Sequence, residues 1–266
     1  ASAGSLNLRG LIAMSGRQLT VTGPSSLELS GTIDNSTGGA AAISKTAGGT
    51  LTISAIQNHG PGAALNVAGG TAVLQSNAGV SALPTAAAVA NLSVSVGGGQ
   101  LKLAAHQALA SVASSVAGGV DLSGWQMSIY SLADEPSLNA AVGGGKIIDT
   151  TAGVNAAIGI ADLADAHGDM AILVRLTRPG DATLDGTVNF ADLLVLSQNY
   201  NASGRTWDQG DSNYDGEVNF ADLLALSQNY NQSYASAASA ATEVPEPGVL
   251  GVLAIGAMGL LTRRRQ

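Results

Sequence analysis

The sequence predicts a mainly β protein. A right-handed parallel β-helix comes first, then a small α-helical unit built on two ligand-rich loops, then a hydrophobic C-terminal helix. Three observations predict this. Short apolar couplets with period-two spacing recur along the first hundred or so residues, as half-buried strands do. One block is repeated almost unchanged, as GDATLDGTVNFADLLVLSQNYN at 180–201 and GDSNYDGEVNFADLLALSQNYN at 210–231. The composition is low in charge and rich in small residues: 11% Asp, Glu, Lys and Arg, 3% aromatics and 35 glycines in 266 residues. Ordinary globular domains carry about a quarter charged residues.

Composition also excludes some functions. The net charge of −8 argues against nucleic acid as a partner, which needs a basic face. With no cysteine, disulfides, thiolate metal sites and cysteine nucleophiles are ruled out. The chain begins with Ala, as expected of a processed chain or the C-terminal part of a longer one.

Residues 1–130 are expected to form the solenoid. The couplets are Leu6/Leu8, Leu19/Val21, Leu27/Leu29, Leu51/Ile53, Leu65/Val67, Leu92/Val94 and Leu101/Leu103. Pairs of couplets begin at 19, 43, 65 and 92, a recurrence of roughly two dozen residues that suits the coils of a solenoid. A β-sandwich, which also has evenly spaced short strands, is the alternative. Within 41–76, Lys45, Gly48-Gly49-Thr50-Leu51-Thr52-Ile53-Ser54, Gly69-Gly70-Thr71 and Leu74-Gln75 resemble the autotransporter-associated β-strand repeat. The resemblance implies an extracellular β-helix in a large exported protein. From Thr46 to Leu101 there is no Asp, Glu, Lys or Arg, so acid–base chemistry lacks its groups there. His59 reads as a solvated loop residue, and no enzyme is expected.

Residues 131–178 read as an irregular β end or cap. Just before them, AAHQALASVASSVAGG fits either a helix bearing Leu109, Val112 and Val116 or another coil. The coil is preferred, because Val120/Leu122 and Met127/Ile129 continue the alternation, with Trp125 and Tyr130 packing the solenoid end. Asp162, Asp165, His167 and Asp169 read as a solvated acidic turn. MAILVRLT at 170–177 is a strand leading directly into Gly180-Asp181, so the duplicated unit should pack on the β-domain.

The duplicated unit occupies 179–232. Calcium takes six to eight oxygens, and a twelve-residue loop can wrap it if glycine makes the turn at position 6. In the second copy Asp211, Asn213, Asp215, Glu217 (through its carbonyl), Asn219 and Asp222 fall at positions 1, 3, 5, 7, 9 and 12, with Gly216 at 6. The first copy offers Asp181, Thr183, Asp185, Thr187, Asn189 and Asp192, with Gly186 at 6. Two calcium sites are expected, the second tighter because Asn213 is a better ligand than Thr183. After each loop comes a short helix whose stripe is read as Phe190, Leu193, Leu194 and Tyr200, or Phe220, Leu223, Leu224 and Tyr230. The two helices would face each other, with Trp207 packed on them.

The tandem loop–helix pair, with Asp192 and Asp222 at position 12, resembles the type I dockerin. The resemblance implies calcium-dependent docking onto a cohesin-like protein. In that family the residues just before the last ligand help choose the partner. Here they are Phe190-Ala191 and Phe220-Ala221.

Residues 233–243 read as a flexible linker, and 244–266 as a sorting tail. Pro245, Glu246 and Pro247 precede an apolar run at 248–261, and Arg263, Arg264 and Arg265 follow it. As a helix the run would rise about 21 Å, against roughly 30 Å of bilayer core, so it would insert with some thinning of the bilayer. This ordered triple resembles the PEP-CTERM sorting signal of bacteria. That implies export, transient membrane anchoring, cutting near the triplet by an exosortase-type enzyme, and residence on the surface or in the extracellular matrix.

Three functions fit these features. One is a non-catalytic surface or matrix protein with a calcium-binding docking or stabilising unit, in contact with extracellular polysaccharide. The second is a dockerin-bearing component of a polysaccharide-degrading assembly, with its catalytic domain upstream. In the third, the calcium pair is purely structural.

Overall fold

The computed structural model describes residues 5–78, 90–114, 117–164 and 168–234. The sorting tail, Val116, Asp165 and His167 lie outside them. The first coil carries β1 (Ser5–Leu8), β2 (Ile12–Ala13) and β3 (Gln18–Val21), and the second β4 (Ser26–Leu29), β5 (Ile33–Asn35) and β6 (Ala42–Lys45). The third carries β7 (Thr50–Ile53), β8 (Gln57–His59) and β9 (Ala63–Val67), and the fourth β10 (Thr71–Leu74) and β11 (Leu92–Val96). Then come β12 (Gln100–Leu103), β13 (Gln107–Leu109) and β14 (Ser111–Ser114), and β15 (Gly119–Asp121) and β16 (Met127–Ile129) open the last turn. The result is a parallel β-solenoid of about 5 turns.

Each couplet is one rung of a column. Leu6, Leu27, Leu51, Ala72, Leu101 and Val120 stack in register along one face. Leu8, Leu29, Ile53, Leu74 and Leu103 form the next column inward-facing on the same sheet. A second face stacks Leu19, Ile43, Leu65, Val94 and Val112. From Leu29 onward the rungs of the first sheet are fully buried, while Leu6 on the first coil is 59% exposed. Burying such columns is the main stabilising term of a stack whose coils touch only their neighbours.

One rung breaks the apolar rule. Lys45 stands in the column between Val21 and Val67 and is fully buried. Its ammonium donates to the carbonyls of Ala47 and of Gly48, the latter at 2.5 Å. Burial lowers its pKa.

Among the described residues the third face comes in two parts. The sheet β2-β5-β8 ends with the third coil, and the face resumes further on with β13 and β16. The Gln107 side-chain amide ties the fifth coil to the chain after β10. The Gln107 carbonyl oxygen accepts from Ala78 N at 2.9 Å, and its amide donates to the Ser76 and Ala105 carbonyls at 3.0 Å each. His59 also belongs here, and the expectation of a solvated loop is corrected. It lies in β8, where period-two alternation turns both Gln57 and His59 inward and Asn58 outward. Its Nε2 is 3.1 Å from Gln57 Oε1, and burial lowers its pKa to about 4.

The region 104–114 is a coil, as expected. Beyond β16, α1 (Glu135–Gly143) starts with Pro136 in its first turn and buries Leu138 and Ala141. The expectation of an irregular β end over 131–178 missed this helix, because two buried residues three apart make too faint a stripe. β17 (Ile147–Ile148) adds a last parallel strand beside β15. β18 (Ala157–Ala164) and β19 (Met170–Thr177) form an antiparallel hairpin, with β19 pairing β16 and β18 at the sheet edge. The half-buried Trp125 packs edge-on against His106, with ring centres 5.0 Å apart.

Candidate metal centre

Thr177 ends β19, and the first loop begins four residues later at Asp181. Gly186 and Gly216 make the position-6 turns at φ of +91° and +84°, a backbone region that favours glycine. In each loop the residue at position 9 caps a helix. The Asn189 side chain accepts from Ala191 N, and Asn219 from Ala221 N, both at 2.7 Å. The position-12 carboxylates complete two capping boxes by accepting from Asn189 N at 2.8 Å and Asn219 N at 3.0 Å. The helices are α2 (Phe190–Asn199) and α3 (Phe220–Asn229).

The two loops share the contacts of positions 1, 5 and 12 but draw some of the donors from different positions: Thr183 at position 3 meets Asp192, whereas Ser212 at position 2 meets Asp222. The second oxygen of Asp192 accepts from Thr183 N and Oγ1, each at 2.9 Å, and that of Asp222 from Ser212 N at 3.0 Å and Oγ at 3.2 Å. Asp181 Oδ2 accepts from Gly186 N at 3.0 Å, and Asp211 Oδ2 from Gly216 N at 2.8 Å. Asp185 and Asp215 accept from Thr187 N and Glu217 N at 2.8 Å. Asn189 donates to Asp185 at 3.2 Å, and Asn213 to Asp215 at 3.0 Å.

Asp181, Asp192 and Asp222 are 0% exposed and Asp211 1%. Burying carboxylates this deeply is costly unless something pairs with them. No Lys, Arg or His among the described residues forms an ion pair with any of the four. Among the described residues Asp181 Oδ1 and Asp211 Oδ1 have no hydrogen-bond partner. Burial raises the Asp181 pKa, with Asp192 and Asp185 adding to it and the Thr177 and Gly186 hydrogen bonds opposing. Burial likewise raises that of Asp211, with Asp222 and Asp215 adding. Among the described residues no group of three or more His, Cys, Asp or Glu side chains is gathered closely enough to hold a metal by themselves. What each loop offers is mixed: inward carboxylates at positions 1 and 12, with Asp, Asn, Thr and carbonyl oxygens around the turn.

Each loop is also tied to the residues that follow a helix, the first to those after α3 and the second to those after α2. Val188 exchanges backbone hydrogen bonds with Asn231 and Gln232 at 2.8 and 3.0 Å, and Val218 with Asn201 and Ala202 at the same distances. Beneath them Val188, Leu196, Val218 and Leu226 form a small core, flanked by Leu193 and Leu223. The expected helix stripe is therefore corrected. Phe190 is 67% and Phe220 66% exposed, and Leu194, Tyr200, Leu224 and Tyr230 are also exposed. The capping boxes turn positions 193 and 196 toward the partner helix, which leaves Phe190 and Leu194 roughly 100° round the cylinder.

A further contact set joins this pair to the hairpin. Trp207 is buried, and its indole N–H donates to the Asp181 carbonyl at 2.7 Å. Its ring lies 5.5 Å from that of Tyr214. A Cβ placed on Gly159 would fall 2.3 Å from Leu184 Cδ2 and 2.8 Å from Trp207 Nε1, so β18 approaches as closely as glycine allows. Trp207 packs against the hairpin side, not on the helix pair alone as the sequence suggested. Asp162 lies in β18, its pKa raised by burial and by Asp208.

Residues 243–265 match the PEP-CTERM protein-sorting motif. This segment contains Pro245, Glu246, Pro247, Arg263, Arg264 and Arg265, and it marks the protein as exported, transiently membrane-anchored and sorted to the cell surface by an exosortase-type enzyme. No curated protein and no solved structure matches the chain. Among the described residues no helix is long and apolar enough to cross a membrane, and the run at 248–261 lies outside them.

Proposed function

We propose that this exported surface protein is non-catalytic and binds two calcium ions in its matched loops. The supporting observation is the pair of orphaned, buried oxygens, Asp181 Oδ1 and Asp211 Oδ1, each on a position-1 carboxylate that forms no ion pair with a cation among the described residues. A hard dication is what such oxygen sets accept. Asp181, Thr183, Asp185, Thr187, Asn189 and Asp192 would hold one ion. Asp211, Asn213, Asp215, Glu217, Asn219 and Asp222 would hold the other, more tightly. Bound calcium would supply the positive charge that the buried carboxylates lack. The solenoid serves as a scaffold, exposed to extracellular polysaccharide. Its central span carries no acid or base except the buried His59, which favours a non-catalytic role.

Calorimetric titration of the full chain with calcium chloride tests this. Two binding events are expected, with Asp215→Ala abolishing the tighter one. Absence of heat, together with an unchanged melting temperature at millimolar calcium, would overturn the assignment.

A docking role is the second reading, favoured by the exposed Phe190/Leu194 and Phe220/Leu224 patches. It would place the chain in a polysaccharide-degrading assembly through a cohesin-like partner. Calcium-dependent retention of such a partner by the wild type, lost in a Phe190→Ser/Phe220→Ser variant, is its expected signature. Equal retention by both would remove it.

A further inference from the structure

We infer that the first calcium loop is coupled to the hairpin that closes the solenoid, with Thr177 and Trp207 as its positioning residues. The inference rests on the calcium reading and adds how that site is regulated. Thr177 is the last residue of β19, is fully buried and pairs with Ala157 of β18. Its hydroxyl donates to Asp181 Oδ2, the oxygen that also takes Gly186 N–H. With both donors on Oδ2, the orphaned Oδ1 is the free ligand atom. The strand end thereby sets the rotamer of the first ligand. Trp207 holds the same residue by its backbone, through Nε1 to the Asp181 carbonyl, while its ring lies against Gly159 in β18. Arg175 of β19 donates to the Leu184 carbonyl at 3.3 Å, inside the same loop.

The second loop is held differently. Asp211 Oδ2 takes Gly216 N–H, and among the described residues no strand residue donates to it. The contact from this loop to the hairpin comes instead from Tyr214 at position 4, whose hydroxyl donates to the Ile158 carbonyl. The duplicated loops are therefore inequivalent in what supports them. Groups that orient a metal ligand change affinity by about 10–100-fold when removed. Coupling between two sites is reciprocal in free energy, so a hairpin that orders Asp181 must be ordered in return when that carboxylate is engaged. Calcium in the first loop then acts as a latch on β18 and β19, and leaves the coils from β4 to β12 alone.

The test uses the full chain with calcium chloride or chelator. Amide hydrogen exchange is followed in β18, β19 and β7–β10, and calcium isotherms are measured for Thr177→Val, Thr177→Ser and Trp207→Phe, with Asp215→Ala assigning the sites. Calcium should slow exchange in β18 and β19 at least tenfold and leave β7–β10 unchanged. Thr177→Val and Trp207→Phe should each weaken the first site about tenfold and the second less than twofold, and Thr177→Ser should restore the first. Unchanged β18–β19 exchange in a chain that binds calcium would overturn the coupling alone. Equal weakening of both sites by Thr177→Val would overturn it too, since general destabilisation would then explain the loss. A wild type that binds no calcium would remove the calcium reading and the coupling with it.

Discussion

Tyr214 donates its hydroxyl to the main-chain carbonyl of Ile158 at 2.7 Å, 56 residues back in the chain. Ile158 lies on β18, the edge strand of its sheet, and an uncovered edge presents unpaired backbone groups. Tyr214, Trp207 and Leu184 cover it. Tyr214→Phe keeps the ring and removes the donor, so it should cost about 1–3 kcal/mol in a denaturant melt. A loss below about 0.3 kcal/mol would mean that water serves the Ile158 carbonyl equally well.

Asp211→Asn should change sign with calcium. In chelator the substitution removes a buried charge that has no ion-pair partner among the described residues, and the chain should melt at a higher temperature, by the equivalent of about 1–2 kcal/mol. With millimolar calcium the same variant should melt below the wild type. Paired thermal scans decide it, and a variant less stable in both conditions would contradict the unpaired-charge account.

His59 should make the solenoid acid-sensitive. Its pKa is lowered from 6.5 to about 4 by burial, so the unfolded chain binds the proton more readily. The stabilising contribution is complete above pH 6.5 and is lost as pH falls toward 4. A shift of this size is worth on the order of 3 kcal/mol. Denaturation midpoints measured from pH 7 to 4 should fall in the wild type and flatten in His59→Gln. Parallel curves would place the acid sensitivity elsewhere.

Gln107→Leu should destabilise the fifth coil. It strips partners from Ala78 N and from the Ser76 and Ala105 carbonyls, at a cost of about 1–3 kcal/mol per group left buried and unpaired. Local hydrogen exchange at β13 should rise well before that at β7. A uniform rise would show that the third face is not a separate weak point.

The columns were legible in the sequence because a solenoid repeats one local rule: alternate apolar residues, then turn. Leu27/Leu29 and Leu51/Ile53 display that rule wherever they stack. Lys45 and His59 escaped it because alternation reports which way a side chain points only when its chemistry is apolar. Both point inward and find main-chain or amide partners there. The loops were legible as oxygen-bearing residues at set intervals around a glycine, and the structure adds that the position-1 carboxylates are buried with one oxygen unpaired. The helix faces were misjudged because Phe190, Leu193, Leu194 and Leu196 spread apolar character around the cylinder, and the capping geometry at Asn189 and Asp192 decides the rotation. The contacts from Trp207 to Asp181 and from Tyr214 to Ile158 join distant parts of the chain, which local periodicity does not encode.

The backbone at the end of the described chain also has a mechanical meaning. Tyr234 N donates to the Gly186 carbonyl at 2.8 Å, Gln232 O accepts from Val188 N at 3.0 Å, and Ser233 O accepts from Arg178 at 3.1 Å. Any tension applied along the chain beyond Tyr234 therefore pulls first on the turn of the first loop. The coils carry the same tension in series, but each is clamped between neighbours, so the contacts at that loop lie nearest the pull and are the first exposed to it. A surface protein pulled from its C-terminal side would thus meet its first resistance at this seam, outside the stacked coils.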